Sequence, residues 1–467
     1  MKMWSGRFRQ PLDAQFERWQ RSFPFDQRLL GQEVAASRVH AQALHQAGML
    51  SAGELSAILK GLEQIAEKAA GGPAFLRDDA AEDVHHFVEK RLVELIGETG
   101  YKLHSGRSRN EQIATDLRLY VRQAIDQARE QTAELIAALL GRAEQAGGAA
   151  MPAYTHLQRA EPVLAAHWLL AYVEMLFRDL ERLDDCRKRV NRCPLGSGAV
   201  AGTTLPLDRG RMAEHLGFAG PTNNSLDATT DRDFVLEFVH ALLLLSLHLS
   251  RWAEEMLLFS TQEYGFLDLP EKYSTGSSAM PQKKNPDLLE LARGKIGRVA
   301  GDFNALILVL KGLPLAYNKD LQESQEPLFD ATDTVLSLLP LVTGWMRDVE
   351  FNYTRMQEAA QTGFLNAWAA ATYLAERGVP FRLAHEKVGN AVRLCLEKGC
   401  ELQELSLEEL RQFSPEFDHD IYARLSIESV MAVHNVHGGT APARVKQAID
   451  DGKRRLTALR EVAHAHA

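Results

Sequence analysis

The stretch Phe238-Val-His-Ala-Leu-Leu-Leu-Leu-Ser-Leu-His-Leu-Ser250 decides the fold. It lies between Glu237 and Arg251 and carries two histidines, and it is shorter than the ~20 apolar residues that a membrane span needs. It reads as part of a buried helix over Thr230 to Tyr264, and a helix without a polar face has to be surrounded by others. Four further segments supply that cover. Asn110 to about Glu144 sets Ile113, Leu117, Val121, Ile125, Ala128, Leu135 and Leu139 mostly at three- and four-residue steps, with no Gly or Pro before Gly141. That predicts an amphipathic helix of about 50 Å at ~1.5 Å per residue. Pro162 to about Val190 predicts a second, with proline near the first turn, where a missing N–H costs least. Pro286 to about Lys311 and Gln322 to Val349 predict two more, the last bent at Pro340. Helices this long make an elongated bundle. The apolar one needs more cover than four neighbours in one chain give, so self-association through the bundle is expected.

Outward from the bundle the pattern shortens. In the first hundred residues, Ser51 reads as an N-cap with Glu54 in the capping-box position, and Ala70-Gly-Gly-Pro73 is a break. Beyond Gly363, turns at Gly378-Val-Pro380, Lys398-Gly399 and Gly438-Gly439 separate short helices. No alternating apolar run is bounded by hairpin turns, so strands should be minor. The 45% hydrophobic and 25% charged residues are those of a globular chain, and 467 residues suggest about three domains. A net charge of −9 with only 7% aromatics argues against binding nucleic acid or an anionic membrane. Cys186, Cys193, Cys395 and Cys400 form no CxxC pair, so they are expected as reduced thiols without a metal or redox role. The amino terminus has no apolar signal region, and the expected location is the cytoplasm.

Three polar segments border the long helices. His104-Ser-Gly-Arg-Ser-Arg-Asn110 precedes the first and suits an anion cradle, with helix amides and guanidinium forks together; as residue chemistry alone it is equally a solvated basic turn. Tyr154-Thr-His-Leu-Gln-Arg-Ala-Glu-Pro162 carries a histidine that is either catalytic or simply solvated. Ser274-Thr-Gly-Ser-Ser-Ala-Met-Pro-Gln-Lys-Lys-Asn-Pro286 puts a cationic tip on small residues, as a mobile loop closing on an anion would. Composition takes the matter no further than an anion-binding site.

Motif order does. Gly276-Ser-Ser-Ala-Met-Pro-Gln-Lys-Lys-Asn-Pro286 resembles the signature loop of the fumarase/aspartase superfamily, and its Gln282-Lys283 form resembles the argininosuccinate lyase branch. His104-Ser-Gly-Arg-Ser-Arg-Asn-Glu-Gln112, Tyr154-Thr-His-Leu-Gln158, Leu195-Gly-Ser-Gly-Ala199, Asn224-Ser-Leu-Asp-Ala228, Asp231-Arg-Asp-Phe234 and Tyr317-Asn-Lys-Asp-Leu-Gln322 match the same branch. The resemblance runs from Trp4-Ser-Gly-Arg-Phe8 to Gly438-Gly-Thr-Ala441. It implies an all-α fold of three mostly helical domains, 1–108, 109–360 and 361–467, the middle one a long five-helix bundle. It also implies a homotetramer with a twenty-helix core and active sites shared between three subunits.

The implied reaction is the reversible cleavage of argininosuccinate to arginine and fumarate. A base removes a weakly acidic proton beside a carboxylate, cations hold the dianion that results, and an acid protonates the guanidino leaving group. By resemblance Ser277 is the base, His156 the acid and Glu290 the carboxylate partnering it. Lys283 and Asn285 hold the carboxylate that becomes electron-rich. Ser108, Asn110 and Thr155, with Gln158 beside them, bind the succinyl part, and Ser22 and Asp26 help to enclose it. Tyr317, Gln322 and Gln325 fall at the arginine end, while Arg107, Arg109 and Arg232 are either direct ligands or ion pairs behind them. Fixed cations take the place of a Lewis acid, so no metal or organic cofactor is expected. Two positions depart from the pattern: Gln325 stands where lysine is usual, and Glu161 where glutamine is. The competing readings are a related lyase acting on adenylosuccinate, aspartate or malate, and a lens-crystallin-like structural protein.

Overall fold

The structure, a computed structural model, describes residues 10–465; Trp4-Ser-Gly-Arg-Phe8 lies outside them. Helices α1 (Leu30–Gln46), α2 (Ala52–Ala70) and α3 (Val84–Ile96) lead into α4 (Arg109–Ala146). Four further long helices follow, α5 (Ala165–Val190), α6 (Asp233–Phe259), α7 (Asp287–Leu310) and α8 (Gln325–Asp348). All five predicted long helices are therefore present, and the fold is all-α with minor strands; beyond Gly363, where only short helices are expected, α9 (Pro442–Ala465) is a sixth, as long as α7 and α8. The capping box at Ser51 and Glu54 is present, each side chain reaching the other's backbone N–H.

Several boundaries differ from expectation: α6 ends at Phe259 and not at Tyr264, α8 begins at Gln325 after a 3-10 turn over Lys319–Ser324, and two helix starts have a specific cause. Pro162 does not open α5: it lies in strand β2 (Gln158–Leu164), which pairs antiparallel with β1 (Ala150–Thr155) so that Pro162 faces Pro152. A two-stranded ribbon has only edges, and an edge tolerates residues that lack an N–H. The predicted start of α6 at Thr230 belongs instead to a separate short helix, Ser225–Thr230, capped by Asn224 Oδ1, which accepts from the Leu226 and Asp227 N–H groups. Asp231 interrupts the chain there by accepting from the Asp233 N–H at 2.8 Å, which ends one helix and caps the next.

The chain forms two compact units, and each of α4 to α8 contributes residues to both. The first comprises the residues up to Arg129, Glu181–Leu243 and Gly297–Val335; the second comprises Glu130–Leu180, Leu244–Ile296 and Leu336–Ala467. In the first, α1, α2 and α3 bury Ile58, Leu62, Ile65 and Leu92, and Phe23 stacks on Phe87 at 4.8 Å. Gly61 lets the helices approach closely there, because a Cβ would lie 2.5 Å from Leu92 Cδ1 and push that side chain aside. Nearby, Val39, Ala43, Cys193, Leu195 and Phe218 form another core. Burial pushes the thiols of Cys186 and Cys193 up to about 12, which keeps them protonated and inert. In the second unit Trp252 meets Trp345 edge-on at 5.0 Å, and Tyr373, Leu374, Leu402, Phe417 and Leu425 close a core of short helices.

Among the described residues α6 is the one helix long and apolar enough to cross a membrane by length and composition, and half of its apolar window is buried within the chain. Phe238, Val239, Leu242, Leu245 and Leu249 are buried, whereas Leu247 is 44% exposed. On the second-unit parts of the long helices, Leu291 and Leu341 are also exposed.

Candidate active site

In the second unit, the signature loop is a narrow ribbon. Strand β4 (Thr275–Gly276) pairs antiparallel with β5 (Lys284–Asn285), after a short β3 (Leu267–Asp268) that pairs with β6 (Glu350–Phe351). Asp287, the first residue of α7, anchors the ribbon by accepting from the Thr275 N–H at 3.1 Å and the Thr275 hydroxyl at 2.6 Å. Asn285 Nδ2 donates to Thr275 Oγ1 at 3.4 Å. The two tip lysines differ. Lys284 Nζ is tied down, 3.0 Å from Asp268 Oδ1 and 2.9 Å from the Leu269 carbonyl. The Lys283 ammonium is exposed and makes no hydrogen bond or ion pair among the described residues.

Ser277 follows β4 and is half-buried. Its Oγ accepts from the backbone N–H groups of Ala279 (3.2 Å) and Met280 (3.1 Å). Two amide donors aimed at one hydroxyl oxygen stabilise negative charge there and make its proton easier to lose.

His156 and Leu157 form the two-residue turn between β1 and β2, with Thr155 paired to Gln158 across it. Both have positive φ, 55° and 57°. Such a turn favours Asn and Gly, and each larger residue held there costs about 1–3 kcal/mol. That turn places the exposed His156 at the ribbon's tip. The ribbon itself is secured from behind. Arg159 donates to the Ala359 carbonyl at 3.1 Å and to Thr362 Oγ1 at 2.8 Å, and the Leu164 N–H donates to Thr440 Oγ1 at 2.9 Å. Glu161 Oε1 lies 3.4 Å from His434 Nε2; burial raises its pKa and His434 opposes the rise. Glu290, in the first turns of α7, is exposed, and within the chain its carboxylate does not pair with His156.

The first unit holds the remaining candidates. Ser108 stands before α4, where its Oγ accepts from the Asn110 N–H at 3.3 Å and its N–H donates to Glu111 at 3.0 Å. The Glu111 carboxylate also receives the N–H groups of Gly196 and Gly198, which joins the anion loop to the Leu195–Ala199 turn. Gly106, at φ 67°, has no room for a side chain: a Cβ would meet Leu205 Cδ1 at 2.5 Å. Arg109 is ion-paired to Glu82 and Asp83, both at 3.1 Å, while Arg107 donates to Ser37 Oγ at 2.8 Å.

Asp26 is fully enclosed. It accepts from Ser22 Oγ at 2.6 Å and from the Val84 N–H at 3.0 Å, at the start of α3. Burial, and then the charge of Asp83, push its carboxyl up to about 7. It therefore holds Ser22 in place rather than presenting itself. Arg232 is buried too; its Nη1 donates to the Asp231 carbonyl at 2.8 Å, while Nε and Nη2 have no protein partner. Burial lowers it to about 10, and Tyr317, itself raised by burial, opposes that fall. Gln322 Nε2 donates to the Gln20 carbonyl at 3.1 Å, and the buried Gln325 has an unpartnered Oε1.

Sequence reasoning missed the anchors: Asp287, Asp268 and Glu111, and the buried Glu33, His85 and Asp116. Only Asp287 and Glu111 carried a local signal, each being a carboxylate in the first turn of a long helix beside a candidate loop.

Residues 6–301 match the family described as lyase, and residues 364–432 the family described as argininosuccinate lyase C-terminal. The chain is similar to the argininosuccinate lyase of Koribacter versatilis, at 58% identity over 467 residues that cover 100% of both chains. It is similar to that of Acidobacterium capsulatum at 56% identity, again with 100% of both covered. Among solved structures it is similar to EDDS lyase in complex with formate, at 28% identity and a TM-score of 0.86, covering 98% of this chain and 93% of that one.

Proposed function

The chain belongs to the argininosuccinate lyase family, and from that premise we propose how its residues carry out the reaction. It is a carbon–nitrogen lyase of arginine biosynthesis that cleaves argininosuccinate reversibly to L-arginine and fumarate. Ser277 takes the proton beside the carboxylate. The observation that carries this assignment is the pair of amide hydrogens on its Oγ, which stabilise the alkoxide. Lys283 and Asn285 hold the carboxylate as it gains electron density. His156, supported by Glu290 from a different copy, protonates the leaving guanidino nitrogen. Thr155, Gln158, Ser108, Asn110 and Arg107 bind the succinyl end, Ser22 covers it, and Arg109 serves through its ion pairs with Glu82 and Asp83. Arg232, with two free donors, and Tyr317, Gln322 and Gln325 take the arginine end.

The working enzyme is a cytoplasmic homotetramer whose sites combine residues of three subunits and whose five-helix bundles, residues 109–360 between the flanking domains, make a twenty-helix core. Two observations support this reading. Apolar Leu247, Leu291 and Leu341 on long helices are exposed in the single chain. The residues proposed for proton transfer belong to one unit, and most of those proposed to hold the substrate belong to the other.

Ultraviolet detection of fumarate, with argininosuccinate, adenylosuccinate, aspartate and malate as parallel substrates, tests the assignment. Release from argininosuccinate alone is expected, and release from another substrate would overturn the specificity. Gln325→Lys is expected to lower KM about five- to tenfold, because a charge-assisted bond to a substrate carboxylate replaces a neutral one. An unchanged KM would show that Gln325 does not face the substrate.

A further inference from the structure

Beneath the anion loop lies a polar cluster that the reaction scheme does not use. Glu33 of α1, His85 of α3 and Asp116 of α4 are buried, with ligand atoms all within 4.8 Å of one another. Glu33 is well supplied with donors, one of them shared between its two oxygens. Its Oε1 accepts from Ser37 Oγ (2.6 Å) and Gln112 Nε2 (3.2 Å), and its Oε2 from His85 Nδ1 (2.7 Å) and Gln112 Nε2 (3.3 Å). Asp116 is the opposite case: it is wholly buried, and neither of its oxygens receives a hydrogen bond. His85 Nδ1 stands 3.6 Å from its Oδ2 and already serves Glu33. Two carboxylates this close in a dry interior do not both ionise, and the one without donors keeps the proton. On the far side of Glu33, Arg107 Nη1 lies 3.7 Å from Oε1 and shares Ser37 with it.

Resting on the reaction assigned above, we propose that Asp116 is a positioning residue: as a neutral acid it donates to Glu33 and leaves there a single negative charge, which holds His85 and Arg107 and so sets Arg107 in the loop that takes the substrate carboxylates. The other groups facing the cluster fit this balance. His40 of α1 is pushed down to about 3 and His104 of the loop to about 4, by burial and then by Arg107, so both are neutral at pH 7. Asp26 and Asp83 face it from the segments before α1 and α3, and both favour the proton on Asp116 or the charge on His85. Burial first, then Glu33, raises Asp116 well above the carboxylate range.

The test uses the full-length enzyme and Asp116→Asn, Asp116→Ala and Glu33→Gln, with KM and kcat from fumarate release and Tm measured without substrate from pH 5 to 8. Asparagine imitates the protonated acid, so Asp116→Asn should keep KM and kcat within about threefold. Asp116→Ala, which cannot donate, and Glu33→Gln should each raise KM at least about tenfold with kcat less affected, the mark of lost uniform binding. The native state holds a proton that the unfolded chain releases above ~3.9, so wild-type stability falls as pH rises. Asp116→Asn escapes that loss, and its Tm advantage should therefore widen towards pH 8. A gap that does not widen, or an Asp116→Asn variant as weak as Glu33→Gln, would overturn the neutral acid. An unchanged KM in a folded Glu33→Gln variant would overturn the positioning role. If wild type released no fumarate, the reaction assignment would fail by itself, and the Tm series would still decide where the proton is.

Discussion

Ser277→Ala will abolish fumarate release from argininosuccinate, lowering kcat by at least about a thousandfold, in a protein that stays folded. The size follows from what is removed. An unassisted hydroxyl is a poor base, and this one is improved by two amide donors, Ala279 N–H at 3.2 Å and Met280 N–H at 3.1 Å. Alanine leaves those donors aimed at nothing that can take a proton, and water cannot be positioned as well. The structural cost is small, about 1 kcal/mol, because the loop is exposed and both amides can turn to solvent. Ser278→Ala is the control: it is the exposed neighbour without this hydrogen-bond pair, and it should retain most of the activity. A Ser277→Ala enzyme that kept a tenth of wild-type kcat would rule out Ser277 as the base. Equal losses in both variants would point to loop mobility in its place.

The adjacent lysines should separate just as clearly. Lys283→Met is expected to reduce kcat/KM about 10²- to 10³-fold, the usual scale for losing one group aimed at a developing charge. Lys284→Met should cost less than about tenfold and act mainly by loosening the loop, since its ammonium is already committed to Asp268 at 3.0 Å and the Leu269 carbonyl at 2.9 Å. Steady-state kinetics on both variants, with Tm as the check on folding, decide the matter. Lys284→Met as the more damaging change would reverse the two roles.

The long helices were legible in the sequence because their signal is local: an apolar step of three or four residues, sustained over many turns, has only one stable outcome. The errors fell where that signal is absent. Thr155 to Leu164 has no apolar period, and Pro162 suits a helix start as well as an edge strand; what makes it a strand is the partner at Pro152 across the turn. Asp231 falls within the predicted helix, and the bond from the Asp233 N–H to its carboxylate is what breaks that helix.

By itself, then, the sequence determined the helical bundle, the family and the reaction, because periodicity and ordered motifs survive without knowledge of what touches what. It also singled out Ser277, His156 and Lys283 as candidate residues. Only the tertiary structure decided which of two neighbouring lysines is free, which amides point at Ser277, that His156 sits on a strained turn, and that Asp116 lies against Glu33 without a donor. Those outcomes depend on desolvation and on donors brought together through space: Glu33 and His85 are separated by 52 positions, and Glu33 and Gln112 by 79. No local pattern encodes such a meeting.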